Sequence, residues 1–298
     1  MIIDVHTHCS PTPGWLSYDP VKDAYMRWIT VSELIDRMRQ EGIDKAAVLP
    51  IGSPESSIEP VTTHEVLDMC RHHEKELIAF CNPDPRLCMG VEKYMAFILE
   101  EYKKQGCVGV GEITANVAFD DPKVLNMFRI CEEIGLPVLF HIGPHLGGCY
   151  GLVDELHLPR LESCLRSFPD LVFIGHSQPF WAEISGDLKV EDRNGYPSGP
   201  VAPGGKLLEL FRSFPNLHAD LSAGSGYNAV SRDPSFGVDF MEEFQDRLMF
   251  GTDLDCPGQD LPLLGYLRSL EKSGRLSRRV IDKITYRNAA KLLRLPVG

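Results

Sequence analysis

A chain of 298 residues, 43% of them hydrophobic, is long enough to bury one large core. Its formal net charge of −12 repels phosphate backbones and acidic membrane surfaces, which disfavours nucleic acid and membrane partners. No apolar run approaches the ~20 residues needed to cross a membrane. The nine cysteines are scattered without a CxxC pair, and the first apolar segment begins at Ile2. We therefore expect reduced thiols, no signal peptide and a cytoplasmic location.

Short apolar segments alternate with helical patterns along the whole chain. The predicted strands cover residues 1–3, 46–51, 77–81, 107–111, 137–140, 171–175, 217–221 and 248–251. The predicted helices cover residues 30–42, 61–73, 91–104, 121–135, 158–168, 205–213, 238–244, 261–272 and 277–295. Residues 9–28 contain three prolines and one glycine, and we expect this segment to be irregular.

Continuous apolar strands that are buried on both faces are typical of a parallel sheet. Eight strand–helix units in about 300 residues predict an α/β fold, a closed (β/α)8 TIM barrel. The alternative is an open doubly wound sheet, but no glycine-rich phosphate turn follows the first strand. We find no linker or repeat, and we expect a single domain over residues 1–298.

The ends of the predicted strands carry side chains that bind metals. In a barrel, each strand delivers its last residues to one common face. Six residues of suitable type stand at five strand ends: His6, His8, Glu112, His141, His176 and Asp253. Each alone could instead pair with a lysine, bond a backbone carbonyl or cap a helix. Together they predict a divalent metal site, because imidazoles and carboxylates suit zinc, manganese and iron.

Several motifs resemble those of one known family. They are DVHTH at 4–8, FHIG at 140–143, FIGHSQ at 173–178, FGTD at 250–253 and ITYRNAAKLLRL at 284–295. They resemble the amidohydrolase superfamily of metal-dependent hydrolases, in the branch with aminocarboxymuconate-semialdehyde decarboxylase and pyrone-dicarboxylate lactonase. The resemblance covers essentially the whole chain. It implies a barrel, one or two divalent ions, most simply zinc with manganese or iron as alternatives, and a metal-activated water.

Glu112 departs from the pattern of the decarboxylases in that branch, which generally hold one metal. Its motif VGVGEI at 108–113 resembles the barrel deoxyribonucleases and some two-metal hydrolases, where this glutamate bridges two ions. The resemblance therefore leaves the number of ions open.

The two arrangements assign the ligands differently. In a two-ion site, we expect His6, His8 and Asp253 to hold one ion. His141 and His176 would hold the second, and the carboxylate at the fourth strand end would lie between the ions. In a one-ion site, His176 would instead polarise the substrate or the water, and the other three histidines with Asp253 would be the ligands.

Four further residues are candidates for substrate binding: Arg86, His145, Trp181 and Tyr227. Arg86 could grip an anionic group with its two-pronged guanidinium, or it could stabilise its turn through an ion pair. His145 could touch the substrate or be a solvated loop residue. Asp4 is expected to orient a neighbouring imidazole.

Two long connections are predicted to shape the pocket. They are residues 177–204 and 222–236. Trp15 and Trp28, from the irregular segment 9–28, are expected to contribute to the same pocket. Their aromatic side chains favour a small, partly apolar or ring-containing substrate. Alternatively, these loops form an interface in a homo-oligomer.

The expected reaction is hydrolysis of a small ester, lactone or amide by a metal-activated water. Asp253 would move the proton from the water to the leaving group. Non-oxidative decarboxylation of a small aromatic acid is the alternative that the branch resemblance implies, and phosphoester cleavage is the third. A metal-binding module without activity would have a closed site. Glu112 favours hydrolysis, because a further carboxylate makes the site less attractive to an anionic acid.

Overall fold

A computed structural model describes residues 1–20 and 23–296. We number only the barrel strands: β1 (Ile3–Thr7), β2 (Lys45–Val48), β3 (Leu77–Ala79), β4 (Val110–Ile113), β5 (Val138–Gly143), β6 (Phe173–His176), β7 (Leu217–Asp220) and β8 (Leu248–Met249). The α-helices are α1 (Val31–Glu41), α2 (Thr63–His72), α3 (Glu92–Lys104), α4 (Pro122–Ile134), α5 (Pro159–Ser167), α6 (Gln178–Ala182), α7 (Lys206–Ser213), α8 (Ala223–Ser231), α9 (Pro234–Glu243), α10 (Pro262–Lys272), α11 (Arg278–Asp282) and α12 (Asn288–Leu292).

The strands pair in parallel in two groups, β1-β2-β3 and β4-β5-β6-β7-β8. Backbone hydrogen bonds join the groups at both edges. Cys81 N donates to Gly109 O at 3.0 Å between the ends of β3 and β4, and Val5 N donates to Phe250 O at 3.0 Å between β1 and the end of β8. The predicted (β/α)8 barrel is confirmed.

Alternate residues of each strand enter two different cores. Leu139 and Ile174 point into the barrel, where they contact side chains from the other strands. Their neighbours Phe140 and Phe173 point outward and pack in the larger core beneath the helices. Because both faces of each strand are buried, successive residues along the strand are apolar.

Local sequence signals place the helix ends. Thr30 begins α1 with a capping box to Glu33, and Gly42 ends it with a left-handed φ of 74°. Asp121 caps α4, Pro122 occupies its first turn, and Gly135 ends it with a φ of 68°. These ends lie within one or two residues of the sequence predictions.

Three segments differ from the sequence predictions. Residues Trp15–Asp19 and Ala24–Arg27 form an antiparallel hairpin in a stretch expected to be irregular, with the rings of Trp15 and Tyr25 6.0 Å apart. The expected loop at 222–236 contains α8 and the start of α9. The final predicted helix is interrupted by a π-helical turn at Lys283–Arg287, which separates α11 from α12.

Among the described residues, no helix is both long and apolar enough to cross a lipid bilayer.

Candidate metal centre

The six predicted ligands meet at the carboxyl ends of the strands. Nε2 of His6 lies 3.1 Å from Nε2 of His8, and both atoms lie 3.4 Å from Oδ1 of Asp253. His141 stands directly opposite His176 in the pairing of β5 with β6. Both histidines continue the inward-facing rows of Leu139 and Ile174, two residues earlier in each strand. The alternation of the strands therefore aims them into the mouth of the barrel.

Glu112 lies between two pairs of histidines. Its Oε2 is 3.6 Å from Nε2 of His6 and 3.4 Å from Nε2 of His8. Its Oε1 is 2.7 Å from Nδ1 of His141 and 3.6 Å from Nε2 of His176. One carboxylate oxygen thus faces each pair. Two overlapping groups of metal-binding atoms share Glu112: one adds His6, His8 and Asp253, and the other adds His141 and His176.

Asp220, which the sequence analysis did not select, holds two of these imidazoles from behind. Its Oδ2 lies 2.9 Å from Nδ1 of His6 and its Oδ1 lies 3.1 Å from Nδ1 of His176. Ser222 Oγ also donates to Oδ1, at 2.5 Å. The signal was present in the sequence, because Asp220 is the last residue of β7, and strand ends are the positions that identified the other candidates.

These outer contacts fix which ring nitrogen faces the cluster. The carbonyl oxygen of Leu49 lies 2.8 Å from Nδ1 of His8, as Asp220 does for the other two rings. A hydrogen on each Nδ1 leaves the lone pair of each Nε2 directed at the cluster. Two such lone pairs, on His6 and His8, stand 3.1 Å apart. A shared cation or added protons are needed to relieve their repulsion.

We had expected Asp4 to orient a neighbouring imidazole, but the structure shows a different role. Its Oδ1 accepts hydrogen bonds from the backbone nitrogens of His6 and Thr252, each at 3.0 Å, and its Oδ2 accepts one from Thr252 Oγ1 at 2.6 Å. Asp4 therefore joins β1 to the segment that carries Asp253. Burial raises the pKa of Asp4 to about 7.

The backbone near Asp253 is shaped to bring its side chain to the cluster. Asp253 has a left-handed φ of 56°, and its backbone nitrogen donates to His6 O at 2.8 Å. A Cβ atom at Gly251 would lie 2.9 Å from Cβ of Ser222 and 3.2 Å from Cβ of His6. The glycine of the FGTD motif is thus required for the close approach of β8 to β1.

The charges of the cluster shift its pKa values strongly. Burial opposes protonation of His8, but hydrogen bonds to Asp253 and Glu112 outweigh it and raise the pKa of His8 to about 9. Burial likewise opposes protonation of His6, and the charges of Asp253 and Asp220 raise its pKa well above the usual value. Burial acts to raise the pKa of Asp220, yet the charges of His176 and His6 hold it well below its usual range. The protonation states of these imidazoles and carboxylates therefore depend on one another.

Two adjoining cavities lead to the cluster. The inner one, of about 50 Å³, is lined by ligands and by Trp28, Tyr150 and Asp255. The outer one, of about 470 Å³, is lined by His141, Tyr150, Glu55, Gln178 and other residues. Within the described part of the chain, neither lining contains a lysine or an arginine.

The predicted substrate-binding residues lie at different depths. Arg86 makes close ion pairs with Glu55 at 2.6 Å and with Asp84 at 2.6 Å, the turn-stabilising alternative. His145 is exposed, in the loop whose neighbouring residues line the outer cavity. A substrate contact by either residue stays a prediction.

Trp181 and Tyr227 lie further from the cluster. Trp181 is 2% exposed, with its ring centroid 5.3 Å from Phe180 and 6.1 Å from Phe240. Tyr227 is half-buried against Tyr266. The structure places neither beside the metal-binding atoms. Of the two tryptophans in residues 9–28, Trp28 lines the inner cavity, whereas Trp15 is half exposed on the hairpin.

The donor set fits a divalent ion. Buried imidazole nitrogens and carboxylate oxygens converge within 4.8 Å of one another in each group, and no described cysteine is among them. Such nitrogen and oxygen sets suit zinc, manganese and iron. Asp253 has the most exposed side chain of these candidate ligands, 24%, and it opens toward the inner cavity. The site is thus accessible to a small molecule.

The sequence model of the amidohydrolase family matches residues 3–295, so the chain belongs to that family. Its similarity to individual solved structures supports the fold. A TIM-barrel protein from Bordetella bronchiseptica is 16% identical, with a TM-score of 0.64 over 99% of this chain and 98% of that chain. An amidohydrolase from Burkholderia multivorans, solved with bound zinc, is 14% identical, with a TM-score of 0.62 over 99% and 100%.

A 2,6-dihydroxybenzoate decarboxylase from Rhizobium is 15% identical, with a TM-score of 0.58 over 99% of this chain and 98% of that chain. The search of curated proteins found no significant match. The barrel is therefore shared by hydrolases and a decarboxylase, and it does not select between the two reactions.

Replacing Asp220 with Asn tests its role as the support of His6 and His176. The amide can accept only one of the two imidazole hydrogens on its oxygen and presents an NH₂ group to the other. We expect zinc affinity to fall by about 10–100-fold, the usual cost of losing such an outer contact. Competition with a chromophoric chelator measures the affinity. Asp36→Asn, at an exposed carboxylate paired with Arg39, is the matched control and should bind as the wild type does. Unchanged affinity in Asp220→Asn would refute the role.

Zinc binding should release protons at pH 7.5. His8, with a pKa of about 9, is protonated there when no ion is bound, and a metal ligand must be unprotonated. We expect the release of about one proton per chain from His8. The release from His8 should disappear as the pH rises through about 9, because that ring is then already neutral. Calorimetric titration in buffers with different ionisation enthalpies measures the release. Zinc binding without proton release at pH 7.5 would contradict this assignment.

Proposed function

We propose that the protein is a metal-dependent hydrolase of a small, uncharged ester, lactone or amide. The observation that carries the proposal is the charge of the cavities. Glu112, Asp253 and Asp255 border the inner cavity, whereas Glu55, which borders the outer one, is ion-paired with Arg86. The linings formed by the described residues contain no lysine or arginine to hold an anionic substrate. A neutral carbonyl compound enters such a site at lower electrostatic cost than an aromatic carboxylate.

The residues named as ligands would hold one ion near His6, His8 and Asp253 and a second near His141 and His176, with Glu112 between them. The proposal of two ions is supported by Glu112, whose two oxygens face different histidine pairs. Zinc is the metal we favour, with manganese or iron as alternatives. When bound, a divalent ion polarises a carbonyl group and makes water nucleophilic at neutral pH.

We propose Asp253 as the group that moves the proton. Its carboxylate opens to the inner cavity while its Oδ1 and Oδ2 face His8 and His176 at 3.4 and 3.7 Å. The charge of His6 helps to keep its pKa below the usual value despite burial, so the carboxylate is ionised and can accept a proton from the attacking water. It can then return that proton to the leaving oxygen or nitrogen. His176, held by Asp220, keeps a fixed orientation beside it.

The walls of the cavities favour a partly apolar substrate. Trp28 lines the inner cavity, and Tyr150, whose ring lies 4.5 Å from His141, lines both cavities. These rings offer an apolar surface to a ring or acyl chain next to the polar cluster. Gln178, at the start of the connection predicted to cover the mouth, borders the outer cavity.

A substrate panel separates hydrolysis from decarboxylation. We expect zinc- or manganese-loaded protein to hydrolyse uncharged lactones, esters or amides with a kcat/KM at least about tenfold higher than for analogues carrying one more carboxylate, since ~1.4 kcal/mol of repulsion suffices for that ratio. Acid release by pH-stat and carbon dioxide release are followed together. Asp253→Asn should lower kcat by about 10²–10⁴-fold. Asp68→Asn, at an exposed helix carboxylate, is the control.

Carbon dioxide release from aromatic acids, without hydrolysis of any uncharged compound, would overturn the proposal in favour of a decarboxylase. Phosphoester cleavage alone would overturn it in favour of a phosphoesterase.

A further inference from the structure

Among the described residues, seven buried side-chain atoms lack a hydrogen-bond partner, and four of them lie on three side chains near the mouth of the barrel. These four are Nε1 of Trp181 on α6, Oγ of Ser225 on α8, and Nε and Nη2 of Arg232, the residue that ends α8. Trp181 is 2% exposed and Ser225 is 4% exposed. Within residues 1–20 and 23–296, none of these atoms has a hydrogen-bond partner. Unpartnered buried donors are uncommon in folded proteins and call for a ligand.

All three side chains line one small cavity. Its volume of about 10 Å³ is roughly that of a single water-sized particle. Indole and guanidinium groups can donate hydrogen bonds but cannot accept them. A water molecule accepts at most about two hydrogen bonds and needs acceptors for its own hydrogens, whereas a monatomic anion only accepts. The donor chemistry thus favours a small anion, and the size of the cavity limits the occupant to a single particle.

We propose that Trp181, Ser225 and Arg232 form a binding site for one halide-sized anion, chloride being the common example. The guanidinium supplies the charge, and the indole and the hydroxyl supply two further donors from different helices. This site is independent of the metal centre and of the reaction assigned to it.

The acidic groups near Arg232 do not neutralise it. Asp187 and Asp233 both lie close enough to interact with its charge. Asp187 accepts a hydrogen bond from Ser185 Oγ at 2.6 Å, and Asp233 accepts from the backbone nitrogens of Phe236 and Val201, each at 3.2 Å. In the described part of the chain, neither carboxylate accepts a hydrogen bond from Nε or Nη2 of Arg232. The cavity side of Arg232 therefore keeps its positive charge.

An anion at this site would connect two parts of the mouth. Trp181 belongs to the connection 177–204, and Ser225 and Arg232 belong to α8 and its end. Gln178 lines both the donor cavity and the outer cavity of the metal centre. Binding of the anion would hold α6 against α8 and so stabilise the segment that borders the entrance to the metal centre.

Thermal unfolding of the full chain in sodium chloride and in sodium gluconate, at equal ionic strength, tests the site. We expect chloride to raise the Tm by about 2–4 °C in a saturable manner. Arg232→Met should abolish the difference between the two salts, and Trp181→Phe should reduce it while keeping an aromatic ring. Arg39→Met, at an exposed arginine, should respond as the wild type does. Equal Tm values in the two salts for the wild type, or a full response in Arg232→Met, would overturn the proposal.

Crystals of the wild type grown in sodium bromide give a second test that does not depend on the stability of a variant. An anomalous bromide peak within hydrogen-bond distance of Trp181 Nε1 and the Arg232 guanidinium is the expected result. Bromide peaks only at the protein surface, or no peak in this cavity, would overturn the proposal.

Discussion

The buried carboxylate of Asp220 is the contact on which the geometry of the candidate metal centre depends. It bonds Nδ1 of His6 on β1 and Nδ1 of His176 on β6, two strands that do not pair with each other. One side chain thereby fixes the tautomer and the orientation of both imidazoles. A buried, unpaired carboxylate would be strongly unfavourable, so the hydrogen bonds from these two rings also stabilise Asp220. Ser222 adds a further hydrogen bond from behind the cluster.

The barrel turns this local arrangement into a site. Parallel strands bring their carboxyl ends to one face, and the alternation of each strand aims His141 and His176 inward from adjacent positions. Asp4 joins β1 to Thr252 and so positions the segment that carries Asp253. Glu112 completes the cluster because its two oxygens face different histidine pairs. The contacts that carry the chemistry thus come from strands far apart in the sequence.

The sequence predicted the barrel and brought the six ligand candidates to one face, because strand periodicity and strand ends are local signals. It did not reveal the partners of those ligands. Asp4 lies beside His6 in the sequence yet bonds backbone nitrogens, whereas Asp220 reaches His6 across 214 positions. The position of Trp181 was equally inaccessible, since its burial depends on Phe240 from a distant helix. The helix α8 was read as a loop, because its glycines, Gly224 and Gly226, mask the helical pattern.

The central claim is that the cluster is a two-ion centre organised around Glu112. The most direct measurement is a crystal structure of the zinc-loaded protein, with anomalous data collected on both sides of the zinc absorption edge. The account predicts two zinc peaks, roughly 3.5–4 Å apart, as in two-metal hydrolytic sites. One should contact His6, His8 and Asp253, the other His141 and His176, and Glu112 should contact both. A single fully occupied peak, or zinc bound only outside the cluster, would contradict the account.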